Sequence, residues 1–442
     1  MLFMKIAGRY VTVLIMVLVI FGFPVAIQAQ SKNIPRATHP QVQRLANWLL
    51  SHRGAESGLP LSHVGDARFK DWCFTYDAAV AALAFIALDQ AGEAERIIDF
   101  YITSENAHRL GGVIEAVLVV PPYDGKDWSV RTGANIWLGL AAYHLFRSTK
   151  AEKYLTFATW VADFALDLQD RDSTSPTYGG MKLGPPGDPA FDGDQHFGYD
   201  SHLPGFEQIF ATEATIDAFA LFDLLQNEPK MGRFKNGRDL CLRWLKKVAW
   251  NPGQHRFNRG FHQKPDFAVA SDIHAWGVSA LGAARLDAIE PGAAEQMVRF
   301  VEEHCQSEVS YRPPDGREVT VNGFDFVDHE ALRHLKRPPL ISPEWTFQMA
   351  NAYGRLSDDF EAVGNKRKAS LYAQKRKYLI TQVMAMATTR DNASGLPYAS
   401  LGGVPVGHEN NTPAQGSFST IGVAYGILAL TGYDPLRPPG GR

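Results

Sequence analysis

The chain has 442 residues, of which 45% are hydrophobic and 21% are charged, and its formal net charge is −3. This composition is that of an ordinary globular protein, and without a long basic run the chain is not expected to bind nucleic acid. The length alone favours two or three domains, unless repeated units extend a single core.

The N-terminus has the features of a secretory signal. Lys5 and Arg9 precede the apolar run 10–23, and small residues follow as far as Ala29. A basic start, an apolar middle and a small residue before a polar sequence are typical of a cleaved signal peptide. The pattern predicts a signal peptide over 1–29 and a secreted or periplasmic mature chain without stable membrane insertion. An uncleaved membrane anchor is the alternative.

Hydrophobic periodicity predicts about twelve helices in pairs. An amphipathic helix is expected over 42–51. The segment 76–90 is apolar on nearly every face and must be buried, and an amphipathic helix over 93–104 follows it after a short turn. The last apolar helix, 417–430, would pair with the first and complete six hairpins. The pairs between them are 133–146 with 154–168, 213–225 with 238–250, 272–284 with 291–305, and 344–356 with 359–383.

The connections are unequal in length. Turns after each buried helix are short, whereas the loops before the buried helices are long, and long loops inside a compact domain are usually functional. All of them fall at the end where the buried helices begin. The sequence has no Pro/Ser-rich linker, so we expect one domain over 30–442. The long loops are 105–131, 170–211, 251–271, 306–342 and 389–416.

The three cysteines, Cys73, Cys241 and Cys305, lack the close spacing of a disulfide framework or a zinc site. Cys241 and Cys305 lie in apolar helical stretches and are expected in the core. One disulfide remains an alternative in an oxidising compartment.

The starts of the buried helices carry a recurring polar pattern, most clearly in 212–218, 272–281 and 342–350, and the loop sequence 395–398 accompanies it. These phrases resemble the six-hairpin glycosidase superfamily, the (α/α)6 barrel of many bacterial glycoside hydrolases, over nearly all of the mature chain. The resemblance implies an all-α toroid of six helical hairpins that acts on an oligo- or polysaccharide, most often as an inverting hydrolase. The superfamily also contains phosphorylases, so the fold alone does not decide the reaction.

Glycoside hydrolysis needs two carboxyl groups, one to protonate the leaving oxygen and one to activate water or attack the sugar. With the resemblance, Glu213 is the candidate acid and Glu344 the candidate base, and Asp272 is the alternative for either role. Each is also explained by a structural role, because a carboxylate in the first turn interacts favourably with the helix dipole or caps the helix. Asp217 lies four residues after Glu213 and shares its helix face. When two carboxylates lie this close, the pKa of one of them is raised, as a general acid requires.

Other polar and aromatic side chains at the same end are candidates for binding the saccharide. Tryptophan rings suit the C–H faces of sugars. Trp72 and Trp128 lie in loops, whereas Trp276 and Trp345 lie in helices and are more typical of the core. The full predicted binding set is Asp77, Trp72, Trp128, Asn135, Trp276, Trp345 and Glu409, of which Glu409 is also a second candidate base.

No metal and no cofactor are predicted. The acidic loop 187–196 lacks the ligand spacing of an EF-hand, so a solvated loop is favoured over a calcium site. Two other functions remain open. One is a polysaccharide lyase or sugar epimerase on a similar toroid. A lyase acting on uronates would use converging Tyr, His and Arg side chains and a basic cleft, for which Arg131, His202 and Arg333 give only scattered support. A non-catalytic glycan-binding protein is the third possibility.

Overall fold

The computed structural model describes residues 39–187, 205–407 and 411–437, so the predicted signal peptide, most of the acidic loop and Glu409 lie outside the described residues. Within these ranges the chain forms thirteen α-helices joined by loops that contain short strands. The helices are α1 (Pro40–Ser51), α2 (Thr75–Ala87), α3 (Ala91–Thr103), α4 (Thr132–Thr149), α5 (Glu152–Leu168), α6 (Thr212–Leu225), α7 (Arg233–Trp244), α8 (Ser271–Asp287), α9 (Ala293–His304), α10 (Ala331–Leu335), α11 (Pro343–Ala362), α12 (Lys366–Met384) and α13 (Thr420–Thr431).

Six helices form a closed inner ring in the order α2, α4, α6, α8, α11 and α13, and α13 packs back against α2. An outer helix covers each of them: α3, α5, α7, α9 and α12 follow their inner partners, and α1 packs on α13. The architecture is therefore an all-α (α/α)6 toroid. The predicted fold class is confirmed, including the pairing of the last buried helix with the first helix of the chain.

The inner helices are buried because small and apolar residues occupy every face of them. In α2 all residues from Ala78 to Ile86 are buried. In α4, a Cβ on Gly139 would lie 2.9 Å from Leu221 and from Val161, so glycine allows α4 to approach α5 and α6 closely. None of the helices in the described ranges combines the length and the apolar character needed to cross a membrane.

Several helices differ from their predicted bounds; α7, expected over 238–250, spans Arg233–Trp244, and the short helix α10 was not predicted. The prediction ended α11 at 356, but the helix continues to Ala362, because residues 357–363 contain neither glycine nor proline and the first such residue is Gly364, where φ is 74°. The helix α8 is broken at Gly282, where φ is 70°. A Cβ at Gly282 would lie 2.1 Å from Nη2 of Arg355, so the guanidinium group occupies the space beside this break.

The long loops contain seven small antiparallel sheets in the described ranges, which the sequence analysis did not predict. They are β1–β17, β2–β5–β6, β3–β4, β7–β8–β11–β12, β9–β10, β13–β14 and β15–β16. The strands are β1 (His63–Val64), β2 (Trp72–Phe74), β3 (His108–Arg109), β4 (Gly112–Val113), β5 (Ala116–Leu118), β6 (Gly125–Asp127), β7 (Met181–Lys182), β8 (Phe210–Ala211), β9 (Trp250–Asn251), β10 (Arg256–Phe257), β11 (Gly260–His262), β12 (Lys264–Asp266), β13 (Gln306–Tyr311), β14 (Val319–Phe324), β15 (Thr388–Arg390), β16 (Ala393–Gly395) and β17 (Phe418–Ser419).

Each inner helix is fastened at its start to the loop that precedes the next inner helix. In α2 the backbone N–H of Thr75 donates to the carbonyl of Glu115 at 2.8 Å, and its hydroxyl donates to the carbonyl of Ile114 at 2.6 Å. The same pair of bonds is repeated by Thr132 on 182–183, by Thr212 on 258–259 and by Thr420 on 61–62. A threonine at these starts therefore satisfies its own amide and links neighbouring hairpins.

Two serines complete this ring with variations. The Ser342 hydroxyl donates to the carbonyl of Tyr398 at 2.8 Å. The backbone N–H of Ser271 donates to the carbonyl of Phe326 at 2.8 Å, whereas its buried hydroxyl has no hydrogen-bond partner among the described residues. We call the six residues the clasp residues: Thr75, Thr132, Thr212, Ser271, Ser342 and Thr420.

Cys73, Cys241 and Cys305 are buried free thiols. The expectation that Cys241 and Cys305 belong to the core agrees with this, and the single disulfide left open by the sequence is not formed.

The contrast between two clasp residues generates a stability test. Thr212→Val removes a hydroxyl that donates to a buried carbonyl, and we expect it to lower the free energy of unfolding by about 1–3 kcal/mol. Ser271→Ala removes a buried hydroxyl that has no partner, so the free energy of unfolding should not fall. Chemical denaturation of the three proteins measures both changes. Equal losses in the two variants would contradict the proposed role of the clasp hydroxyls.

Candidate active site

Four carboxylates lie in the first turns of four inner helices. Glu213 of α6 and Asp272 of α8 directly follow the clasp residues Thr212 and Ser271. Asp77 of α2 and Glu344 of α11 come two positions after their clasp residues. Because the clasps hold all the helix starts at one end of the ring, these carboxyl groups lie close enough to influence one another electrostatically.

Glu344 is held by side chains from three inner helices. The Tyr76 hydroxyl donates to Glu344 Oε1 at 3.0 Å, and Gln348 Nε2 donates to the same oxygen at 3.2 Å. The Tyr425 hydroxyl lies 2.9 Å from that of Tyr76 and donates to it, since the proton of Tyr76 is already engaged. Burial, followed by the charge of Asp77, raises the pKa of Glu344 well above its usual range.

Glu213 has different surroundings. It is half-buried and lies beside Gly133 of α4, where a Cβ would be 3.2 Å from Glu213 Oε1 and 3.5 Å from Asp217 Oδ2. The pKa of Glu213 is raised above its usual value, because the effect of burial exceeds the opposing effect of the nearby guanidinium groups of Arg131 and Arg259. Glu213 is thus the carboxylate whose charge is supported by two cations.

The remaining carboxyl groups of the cluster also have raised pKa values. Burial and then the charge of Glu213 raise the pKa of Asp272 to about 8, and burial raises that of Asp77 to about 7. Burial raises the pKa of Glu115 to about 8 against the opposing effect of Arg131. Burial, with the charges of Glu213 and Asp272, raises that of Asp217 well above its usual value. The cluster therefore retains protons at neutral pH that isolated carboxyl groups would release.

An aromatic strip borders the side of Asp77 and Glu344. The rings of Trp72 and Phe74 are half-buried and 5.9 Å apart between centroids. His63 continues the strip, 6.0 Å from Phe74 and 5.9 Å from Tyr398, and Tyr398 lies 5.9 Å from Trp345. Trp345 is itself buried. The strip therefore brings together two of the predicted tryptophans, of which Trp72 is the more accessible.

Trp276 and Trp128 occupy other positions. Trp276 is buried, 5.3 Å from Trp137 and 6.2 Å from Tyr76 between ring centroids, so it forms part of the floor beneath Glu344. Trp128 is half-buried in the loop before α4, and its carbonyl accepts from Arg109 Nη1 at 2.6 Å.

Asn135 has a structural function in the loop before α4. Its Oδ1 accepts from the backbone N–H of Val113 at 2.7 Å, and its Nδ2 donates to the carbonyls of Val113 and Arg131 at 2.9 Å each. These bonds occupy the whole side-chain amide. A direct contact of Asn135 with substrate has no support from this geometry, and it stays a prediction, as does any role of Glu409.

Several residues of the site were not among those predicted from sequence. Tyr425 has the clearest signal, because its hydroxyl lies in α13, a helix that is otherwise apolar and small. Gln348 follows Glu344 by four positions and so shares its helix face. Arg259 and Glu115 lie in loops whose course the sequence did not reveal.

No protein-family model and no curated protein matches the sequence. Solved structures share the fold. A family 76 glycoside hydrolase from a bovine Bacteroides thetaiotaomicron strain has a TM-score of 0.56 at 12% identity, covering 90% of this chain and 78% of that one. A sugar epimerase from a ruminal bacterium has a TM-score of 0.58 at 8% identity, covering 89% and 97%. A novel alpha-amylase from Clostridium perfringens has a TM-score of 0.55 at 11% identity, covering 90% and 100%.

The carboxyl cluster predicts how stability depends on pH. The pKa of Asp272 is raised from 3.8 to about 8, so the folded protein holds a proton that the unfolded chain releases. Its stabilising effect is complete below pH 3.8 and is lost as the pH rises towards 8. Between pH 3.8 and about pH 8, the melting temperature of Asp272→Asn should therefore fall by less than that of the wild type.

Thermal unfolding at both pH values measures this difference, and Asp163→Asn is the control, because Asp163 is exposed and pairs with Arg233 on the outer surface. An Asp272→Asn variant with the same pH dependence as the wild type would contradict the prediction.

Proposed function

Because the chain has the (α/α)6 fold of the six-hairpin glycosidase superfamily, we propose that it is a secreted or periplasmic glycoside hydrolase. It would cleave an oligo- or polysaccharide with two carboxyl groups and invert the anomeric centre. The observation that carries the proposal is the contrast between Glu213 and Glu344. Both start inner helices in the same carboxyl cluster, but guanidinium groups oppose the rise in the pKa of Glu213, whereas neighbouring carboxylates add to the rise in that of Glu344.

The contrast favours an exchange of the two roles first predicted from sequence. Glu344 is buried among neutral donors and other carboxyl groups, which favours its protonated form. Tyr76 and Gln348 hold Oε1, so Oε2 is available to carry the proton. Arg131 and Arg259 favour the charged form of Glu213. We therefore assign Glu344 as the general acid and Glu213 as the general base, a pair separated by their environments.

In the proposed reaction Glu344 gives its proton to the glycosidic oxygen, and the bond between this oxygen and C1 breaks with both electrons going to the oxygen. Glu213 takes a proton from a water molecule whose oxygen forms the new bond to C1 from the opposite face. Asp272, on α8 between the two helices, maintains the field that keeps a proton on the cluster. Trp72 and Tyr398 offer half-buried rings for the sugar.

Sugar epimerisation is the second candidate, and His63 supports it. Burial lowers the pKa of His63 to about 4, so the imidazole is neutral under ordinary conditions, as a base that removes a proton from a sugar must be. His63 also lies in the aromatic strip beside Tyr398. Incubation with reducing disaccharides separates the two functions, since an epimerase changes one stereocentre without releasing a monosaccharide.

Leaving-group chemistry tests the two assigned roles. Glu344→Gln should lower kcat/KM on natural oligosaccharides by roughly 10²–10⁴ and lose much less on dinitrophenyl glycosides, whose leaving group needs no proton. In Glu213→Gln, kcat/KM should fall by a similar factor on both kinds of substrate, because water must be activated in each case. Far-ultraviolet circular dichroism confirms that each variant is folded. The reverse pattern would assign Glu213 as the acid, and unchanged rates in both variants would refute the mechanism.

The stereochemistry of the product is a separate test. Glu213 and Glu344 lie on α6 and α11, with α8 between them in the ring. Carboxyl groups placed across a ring, about 6.5–9.5 Å apart, leave room for a water molecule and give inversion. Proton NMR of the first product from a defined oligosaccharide should show the anomer opposite to that of the substrate. A product with the same anomeric configuration would exclude Glu213 as a water-activating base.

A further inference from the structure

A small cavity lies beneath the floor of the candidate active site. Its volume is about 10 Å³, and Trp276, Gln348 and Tyr425 line it from the side of the site. Asp434 and Leu436 line it from the C-terminal segment that follows α13. The cavity therefore separates the residues that surround Glu344 from the last described part of the chain.

The C-terminal segment is fixed in this position by several contacts. The Tyr433 hydroxyl lies 2.7 Å from Nδ1 of His144, and Nε2 of His144 lies 2.9 Å from the carbonyl of Pro435. The backbone N–H of Leu436 donates to Asp434 Oδ1 at 3.1 Å. Leu436 is buried. The segment thus closes the ring at the end opposite the clasp residues and holds the Asp434 carboxyl group against the cavity.

Three polar atoms of residues that line the cavity are buried and make no hydrogen bond of normal geometry among the described residues: Gln348 Oε1, Asp434 Oδ2 and Trp276 Nε1. Trp276 and Gln348 lie beside the Tyr425 hydroxyl, and Ser279 lies beside Asp434. A buried polar atom without a hydrogen-bond partner lowers the free energy of unfolding. A cavity of this volume admits one water molecule, and buried waters typically make about three hydrogen bonds. Two acceptors and one donor are the set that a single water satisfies, by donating twice and accepting once.

We infer that the cavity binds one internal water molecule that joins Asp434 to Gln348. The water donates to Gln348 Oε1 and Asp434 Oδ2 and accepts from Trp276 Nε1. It thereby determines which end of the Gln348 amide faces Glu344, because Nε2 remains as the donor to Glu344 Oε1, at 3.2 Å. Asp434 is then a positioning residue that acts through the water and Gln348.

The consequence for catalysis rests on the proposed role of Glu344 as the acid. If the water is lost, the Gln348 amide is free to turn and its bond to Glu344 weakens. Removing a donor from the charged form raises a pKa. The pH above which the acid is lost would therefore move upwards. The titratable groups that face Glu344 from the other elements are Tyr76 and Asp77 of α2, Glu213 of α6, Asp272 of α8, Tyr425 of α13 and Tyr398 of the preceding loop.

A crystal structure of the wild type and of Asp434→Leu tests the site without reference to activity. In the wild type we expect one ordered water within hydrogen-bond distance of Gln348 Oε1 and Asp434 Oδ2. In Asp434→Leu we expect no water and a longer separation of Gln348 Nε2 from Glu344 Oε1. A dry cavity in the wild type overturns the inference, and an unchanged Gln348–Glu344 bond in the variant overturns the positioning role.

Kinetics on an oligosaccharide test the same role independently. Asp434→Leu should lower kcat by roughly 3- to 30-fold, a part of the factor that a general acid supplies, and move the alkaline limb of the pH profile upwards. Asp434→Asn keeps the shape and one oxygen, so it should recover most of the loss. Asp358→Asn, which breaks the ion pair with Arg437 of the same segment away from the cavity, is the control for general loosening.

The outcomes separate the two proposals. A fall in kcat that Asp434→Asn does not recover, or one that Asp358→Asn reproduces, overturns the positioning role while leaving the hydrolase intact. If the wild type has no hydrolytic activity, the proposed function is refuted. The water site is then tested by the crystal structures alone.

Discussion

The hydrogen bonds of the clasp residues are the constraint on which the site depends. Each links the start of one inner helix to the loop before the next, and the sixth, from Thr420 to Leu61, returns to the beginning of the ring. A ring joined in this way has no free edge, so no helix start shifts along its axis without breaking a bond to a neighbour. The carboxylates one or two positions after the clasps therefore share one level, although they are distant in sequence.

Burial and charge act against each other at that level. Desolvation alone would make every carboxyl group of the cluster a weak acid, and it is the largest influence on Glu213, Asp272 and Glu344 alike. On one side of the ring, Arg131 and Arg259 oppose the effect of burial on the pKa of Glu213. Two glutamates in equivalent first turns thus acquire different proton affinities, and acid–base catalysis requires such a difference.

Much of the fold was predictable because the inner and outer helices differ in a simple pattern. A run such as Ala78 to Ile86 has no polar face and has to be buried, whereas α9 buries only the stripe that includes Met297 and Val301. Strands of two or three residues have too little periodicity to be recognised. Arg259 reaches the cluster through such strands, so its position was beyond the sequence. The first-turn carboxylates were visible, but the cations and hydroxyl groups that distinguish them were not.

The pairing of α1 with α13 has a consequence for biosynthesis. α13 is the last of the six ring helices along the chain, and it fills the gap between α11 and α2. A chain that still lacks α13 would be an open arc, with the apolar faces of α2 and α11 that pack on α13 left exposed to water. The hydrogen bond that closes the ring joins residues 359 positions apart. Contacts between residues so distant in sequence form late, because the loop between them must lose conformational entropy before the contacts stabilise the fold. The ring therefore closes only after α13 has been made, and the unfinished arc is the state that a chaperone would have to protect.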